Sequence, residues 1–561
     1  MQTILPTALS NWCRALILSS TRLSTLRDMN IAEILHKQVE ECPDTPAILD
    51  LTRGKTGTVS FAELELAARR TQTLLRQKGV QPGDSLLLFQ PMSVELYVAL
   101  IAIFRLGAIA TFLDPSAGKA HLARCCTLRP PKALIASFKA HFLRLRAWQL
   151  QQIPLKFAIG FPFPGATSWN RAKKLEPDPQ IEPCTPETPA LITFTSGSTG
   201  EPKAAQRTHG FLIAQYRALS NAIALTPGET DLTTLPIFLL ANLASGVTSV
   251  IPNADLKYPG AIAPKPILSQ IKTHQPTRTA ASPALLARLA QECIKRKQTL
   301  TNFQKIYSGG APVFPPLLDR LHQIAPQAEI IGVYGSTEAE PIAHISRSEI
   351  HSKDLQTMQQ GGGLLVGKPV EEIQLKIIKN RWGEAIGPYN REEFSQLCNG
   401  VGEPGEIVVS GEHVLPGYLY GVGDEETKFK VEEQPWHRTG DAGYLDEEGR
   451  LWLLGRCKAC ITDKYGTLYP FAVECAANFN SDVQCIAFLY YNYQRTLVIE
   501  MAPKKRRKSG VSVDRSLASL LDSLKWANIE TIRVVEKIPL DKRHNAKIDY
   551  PALEKVLAEA E

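Results

Sequence analysis

Leu191-Ile192-Thr193-Phe194-Thr195-Ser196-Gly197-Ser198-Thr199-Gly200-Glu201-Pro202-Lys203 is the most informative stretch of this 561-residue chain. An apolar strand runs into a loop of small hydroxyl residues and glycines, closed by a lysine. Glycine lets backbone N–H groups converge on an anion without side-chain obstruction, hydroxyls add donors, and the lysine supplies charge. The pattern is not Walker A, which has Gly directly before the Lys and Ser or Thr after it. A Ser/Thr/Gly loop alone is more often a solvated turn. The strand before it and the Pro202-Lys203 closure favour a phosphate cradle.

Outward from this loop, short apolar runs alternate with longer amphipathic segments. Ser85–Phe89, Ala133–Ala136 and Glu329–Val333 are strand-like, whereas Phe61–Lys78 and Pro266–Thr273 are helix-like. Such alternation predicts α/β layers with largely parallel sheets. Val94–Leu113 is apolar but broken by Glu95 and Arg105, and it reads as a buried helix followed by a strand, not a membrane span. Residues 402–455 read as short strands between turns, a small β-rich subdomain. Beyond Gly455 the pattern is mixed α+β, with strands near Ile486–Tyr490 and Leu497–Met501 and helices near Val513–Leu524 and Pro551–Ala560. The expected organisation is an N-terminal extension at 1–28, a large α/β domain at 29–457 and a small, mobile lid domain at 458–561. The extension carries Arg14, Arg22 and Arg27 with no acid before Asp28, like a transit peptide. The regular pattern from Asn30-Ile31-Ala32 favours Met29 as the start instead.

Composition is ordinary for a globular protein, at 44% hydrophobic and 21% charged. Of the formal charge of +7, five units sit in the run Lys504–Lys508 and two in residues 1–28. The body is therefore read as having no global basic field. The 504–508 run has no interleaved aromatics, so it reads as a solvated loop and no nucleic-acid partner is expected. Eleven cysteines without repeating spacing fit a reducing, cytoplasmic setting. Cys457 and Cys460 form a CxxC that no second half completes as a zinc site.

Further motifs follow in order. They are Ser308-Gly309-Gly310-Ala311-Pro312, Tyr334-Gly335-Ser336-Thr337-Glu338, Tyr418 with Trp436-His437-Arg438-Thr439-Gly440-Asp441, Gly455-Arg456, and Pro539 through Lys547-Ile548. Together with Thr195–Lys203 they resemble the ordered motifs of the adenylate-forming superfamily, which includes acyl-CoA synthetases, luciferases and peptide-synthetase adenylation domains. The resemblance spans residues 30–560 and implies an AMP-forming carboxylic acid ligase that uses ATP and Mg²⁺.

That chemistry makes a carboxylate oxygen attack the α-phosphate of ATP while pyrophosphate leaves. Two anions must meet, so positive charge and aligned donors are needed where charge builds up. By the resemblance, Thr195, Ser196, Gly197, Ser198, Thr199, Gly200 and Lys203 hold the β- and γ-phosphates. Glu338 is a Mg²⁺ ligand, Thr337 bonds the α-phosphate, and Gly335 and Ser336 belong to the same nucleotide motif. Tyr334 offers an aromatic face to adenine, and the Gly309, Gly310 and Ala311 backbone approaches its edge. Asp441 accepts from both ribose hydroxyls with Arg456 alongside; otherwise it would be a turn aspartate in a turn-rich segment. Lys547 bridges the acyl carboxylate and the α-phosphate on a flexible stem.

Departures from the common pattern narrow the branch. Ala546 stands before Lys547 where glycine is usual, Lys458 replaces the hinge aspartate, and Leu239 replaces the aromatic-gate His. The last gives a more apolar acyl region. With Leu235–Pro252, Gly466–Tyr469 and Phe479-Asn480, these features resemble the olefin-biosynthesis ligases, which act on long-chain β-hydroxy acids and close the acyl-AMP to a β-lactone. Transfer to coenzyme A or a carrier-protein thiol is the alternative second step, and an inactive ATP-binding scaffold is the alternative of another class. The expected partners are a small carboxylic acid and a carrier protein or pathway enzymes.

Overall fold

The alternating apolar runs become the strands of two large sheets in the computed structural model, which describes residues 30–52, 57–113, 118–196, 202–480, 483–501, 513–540 and 548–559. Residues 1–28, Gly197–Gly200, the 504–508 run and Lys547 lie outside the described residues. The chain divides into two compact units, Met1–Pro46 with Val59–Ala214 and Ala47–Thr58 with Gln215–Glu561.

The first unit is built on a seven-stranded sheet in the order Thr167–Ser168, Leu155–Ile159, Ala133–Ser137, Ser85–Phe89, Ile109–Phe112, Pro189–Ser196, Pro202–Thr208. All neighbours are parallel except the last pair. The apolar stretch from Val94 is a helix, Val94–Arg105, followed by the Ile109–Phe112 strand. Ser93 caps the helix by accepting from Leu96 N. Arg105, which argued against a membrane span, is buried and donates to Glu65 at 2.6 Å and Gln72 at 2.8 Å. A buried cation needs such partners.

The second unit holds a fourteen-stranded sheet. From Pro46–Asp50 through Thr248–Ile251, Thr230–Thr233, Arg278–Ala281 and Lys305–Ser308 to Glu329–Tyr334 the pairs are parallel. From Ala343–Ser346 onward they are antiparallel, ending in the Gly405–Ser410, Gln434–Leu445 and Leu451–Arg456 strands that the turn-rich 402–455 segment predicts. Residues past 457 add a three-stranded sheet of Val483–Tyr491, Gln494–Met501 and Thr531–Val535, with helices Pro470–Ala477, Val513–Ser523 and Tyr550–Glu559.

Gly455 is required where it stands. Its φ is +110°, and an added Cβ would lie 2.5 Å from Phe471 Cβ.

A carboxylate in this region sets a pH dependence. Glu474 accepts from Phe488 N at 3.1 Å and from the Tyr550 hydroxyl. Burial raises its pKa from 4.5 to about 7, against the opposing pull of those two donors. The folded state therefore binds more protons than the unfolded one between those values. Stability from this group is fully present below pH 4.5 and is lost as pH rises toward about 7. Glu474→Gln keeps an acceptor and removes the charge. Its thermal midpoint is expected to be flatter across that window, with a gain on the order of 2 kcal/mol at pH 8.

Candidate active site

Two adjacent parallel strands, Lys305–Ser308 and Glu329–Tyr334, end side by side with Ser308 in register with Gly332. The Gly309–Ala311 and Gly335–Glu338 motifs leave from these carboxyl ends, where open α/β sheets bind ligands. A Cβ at Gly309 would crowd Val333 O at 3.0 Å, and Gly310 has φ +80°, where glycine is favoured. Ser308 Oγ is buried without a hydrogen-bond partner among the described residues.

Residues 335–341 form a tight turn back into the Ala343–Ser346 strand. Ser336 N donates to Ala339 O at 2.8 Å, and Ser336 Oγ accepts from Glu338 N at 3.3 Å. Leu415 N donates to Glu338 O at 2.7 Å, and Tyr418 donates its hydroxyl to Glu338 Oε1 at 2.7 Å. The Lys428 ammonium lies 5.5 Å from the Tyr418 ring centroid. Burial alone would raise the Glu338 pKa. The charge of His437, the Tyr418 hydrogen bond and Lys428 outweigh it and hold the carboxyl below its usual range. An ionised carboxylate with lone pairs left over is a hard donor of the kind magnesium takes, so the residues fit that ion. Thr337, on the same turn, is exposed.

Asp441 and Arg456 are cross-strand partners on Gln434–Leu445 and Leu451–Arg456. Arg456 Nη1 lies 3.3 Å from Asp441 Oδ1, and the Tyr334 hydroxyl donates to Asp441 Oδ2 at 2.7 Å. Burial first, then the charge of Asp441, pushes the Tyr334 hydroxyl well above its ordinary pKa, fixing it as a donor. Each carboxylate oxygen of Asp441 keeps a lone pair for another donor, such as a ribose hydroxyl. Asp441 is thus a strand residue and not a turn aspartate. The turn-like composition is explained by Gly440 at φ +71°, against the Trp382 ring, and by a bulge at Ala442/Gly443.

The phosphate stretch lies in the first unit. Pro189–Ser196 and Pro202–Thr208 pair antiparallel with Thr195 opposite Lys203 and Ser196 opposite Pro202. The lysine therefore opens the second strand of a hairpin and does not merely close a loop, and its side chain is buried. The structure brings Tyr334, Asp441 and Arg456 into direct contact within the second unit, and Glu338 onto Tyr418. Thr195, Ser196 and Lys203 belong to the first unit.

Sequence reasoning missed Glu406 and Lys428. Arg438 is fully buried and bonds both oxygens of Glu406 at 2.7 Å, anchoring the strand that presents Asp441. A lone acid inside the apolar Gly405–Ser410 run was the available signal, because a buried charge demands a partner. Cys457 and Cys460 are both free thiols. Leu239 is fully buried on the Pro236–Ala244 helix.

Residues 35–419 match the AMP-binding enzyme family. The chain belongs to that family of adenylate-forming, acyl-activating enzymes. It is 30% identical, over 94% of its length, to an olefin beta-lactone synthetase of Xanthomonas campestris pv. campestris, 97% of which is covered. It is 26% identical over 79% of its length to 4-coumarate--CoA ligase 2 of Oryza sativa subsp. japonica, 77% of which is covered. Among solved structures it shares the fold of the anthranilate CoA ligase AuaEII in complex with anthranoyl-AMP, with a TM-score of 0.78 at 18% identity over 95% of this chain and 99% of that one. Fold and family bear out the α/β class and the acyl-activating ligase expected from the motifs.

Proposed function

We propose that this enzyme adenylates a long-chain β-hydroxy fatty acid and closes the acyl-AMP to a β-lactone. In the first step a carboxylate oxygen bonds the α-phosphorus as the bond to pyrophosphate breaks. In the second the β-hydroxyl oxygen bonds the acyl carbon, AMP leaves and the hydroxyl proton is released. The observation that carries the reading is near full-length 30% identity to an olefin beta-lactone synthetase. Leu239, where a polar gate residue is usual, makes that region more apolar, in keeping with a fatty acyl chain.

The chain's residues divide the work. Glu338 would hold Mg²⁺, which would supply screening of the phosphate charge. Asp441, oriented by Tyr334 and Arg456, holds the ribose, while the Gly309–Ala311 backbone and the Tyr334 ring frame adenine. Thr337 bonds the α-phosphate. Lys203 and the Thr195–Gly200 stretch hold the departing phosphates, and Lys547 bridges the two reacting anions. Once the acyl-AMP forms, an internal hydroxyl needs only proximity to its carbonyl.

Tyr334→Phe keeps the ring and removes the donor to Asp441. The KM for ATP is expected to rise about tenfold with kcat moving less, measured by pyrophosphate exchange.

A second reading, thioester formation on coenzyme A or a carrier protein, is favoured by the 26% identical CoA ligase. Product analysis with β-hydroxy acid and ATP separates the two. β-Lactone formed without thiol supports the proposal. Product that forms only with coenzyme A or carrier protein selects the second reading.

A further inference from the structure

We propose that the first unit docks on anionic phospholipid bilayers through the helix Phe138–Arg146 and the adjoining segments Trp148–Gln152 and 160–165. The neutral balance read for the body of the chain hides a strong asymmetry. Between Asp114 and Glu176 the sequence has eleven Lys and Arg and no acidic residue. Lys139 and Arg146, on the helix itself, are exposed, as are Lys132, Lys173 and Lys174 elsewhere in the same acid-free stretch.

The same segment exposes large apolar side chains. Phe142 is 51% exposed, Leu145 57%, Trp148 66% and Phe161 75%. Phe138, Phe142 and Leu145 follow i, i+4, i+7 spacing and so share one helix face. The patch is held as a built surface. Phe138 packs edge-on to Phe142, Phe161 and Phe163 with centroids 5.3, 6.1 and 5.7 Å away. Arg144 is buried, lies over Phe163 at 5.0 Å, and donates to Pro164 O at 2.7 Å and Gly165 O at 3.4 Å, clamping the 160–165 segment.

Clustered exposed aromatics of this kind mark interaction surfaces. Aromatic and leucine side chains beside the exposed Lys139 and Arg146, with no acid in the segment, match the chemistry of a bilayer interface with anionic headgroups. The rings pack on each other and not as separated platforms, unlike a single-strand nucleic-acid track. No described helix is long and apolar enough to cross a membrane, and the attachment proposed is peripheral. If the substrate is a long-chain acid, as proposed above, docking brings the enzyme to the phase where that acid partitions. The docking itself does not depend on that reading.

The test is co-sedimentation of the full chain with phosphatidylcholine vesicles, with and without phosphatidylglycerol. Wild type should pellet only with the anionic vesicles and be released at about 1 M salt. Lys139→Gln with Arg146→Gln should weaken partitioning on the order of 20-fold, and Phe142→Ser with Phe161→Ser should abolish it. Thermal melting should be unchanged in the charge variant, and acid-dependent pyrophosphate exchange in detergent-free buffer should be unchanged in every variant that folds. If the serine variant fails to fold, Trp148→Phe decides: it should remove a blue-shifted fluorescence component that anionic vesicles induce in wild type. Wild type that stays in solution, pellets equally with neutral vesicles, keeps its binding in the charge variant, or binds an oligonucleotide but not vesicles would overturn the proposal. Loss of exchange with intact vesicle binding would instead count against the catalytic reading.

Discussion

Glu338→Gln is expected to lower acid-dependent ATP–pyrophosphate exchange by about 10²–10³-fold, because it removes the one ionised ligand proposed for Mg²⁺ without changing side-chain size. The environment makes the carboxylate charge available. Tyr418 donates to it at 2.7 Å, and His437 and Lys428 supply positive charge that overcomes burial. A neutral amide keeps the shape but not the attraction for the ion, and in the same surroundings it leaves those positive groups uncompensated. Raising Mg²⁺ should recover only part of the rate. Exchange kinetics across a Mg²⁺ titration measure this directly, and unchanged kinetics would remove Glu338 from the site.

Arg438→Leu is expected to destabilise the second unit by about 3–5 kcal/mol. It leaves the Glu406 charge buried and unpaired and the Glu384 carbonyl without its donor. Arg438→Leu with Glu406→Leu should recover most of that loss, since replacing both members of a buried pair with apolar residues is often neutral. Urea unfolding followed by the fluorescence of Trp436 and Trp452, both in this unit, compares the three chains. An intact single variant would mean that the strand carrying Asp441 is held by other contacts.

Local pattern carried much of the fold. Ser85–Phe89 and Glu329–Val333 were legible as strands because continuous apolar runs of that length bury both faces of a parallel sheet. Glu95 and Arg105 marked Val94–Arg105 as a protein-core helix, and the structure supplies the partners of Arg105. Other features depended on distant residues. Thr-Gly-Asp-Ala-Gly has turn composition, yet cross-strand pairing with Arg456 keeps Asp441 in a strand. Pro202–Thr208 lacks apolar alternation, and only antiparallel pairing with Pro189–Ser196 makes it a strand. Of the candidate site, the ordered motifs were legible through their resemblance to those of a known family, and Ser308-Gly309 and Tyr334-Gly335 fall at the ends of their strands. Glu406 and Lys428 were not, because their partners lie ten or more residues away in sequence and meet them only through the antiparallel sheet and its loops. Net charge concealed the basic segment after Asp114, since a whole-chain sum cannot register opposite excesses in separate regions.

Acid activation by adenylation is measured most directly as ATP–pyrophosphate exchange with a panel of fatty and β-hydroxy fatty acids, in wild type and Lys547→Ala. The expected exchange requires a long-chain acid, needs no thiol and falls to background in the variant. Exchange absent across the panel while ATP still binds, or unchanged without Lys547, would contradict it.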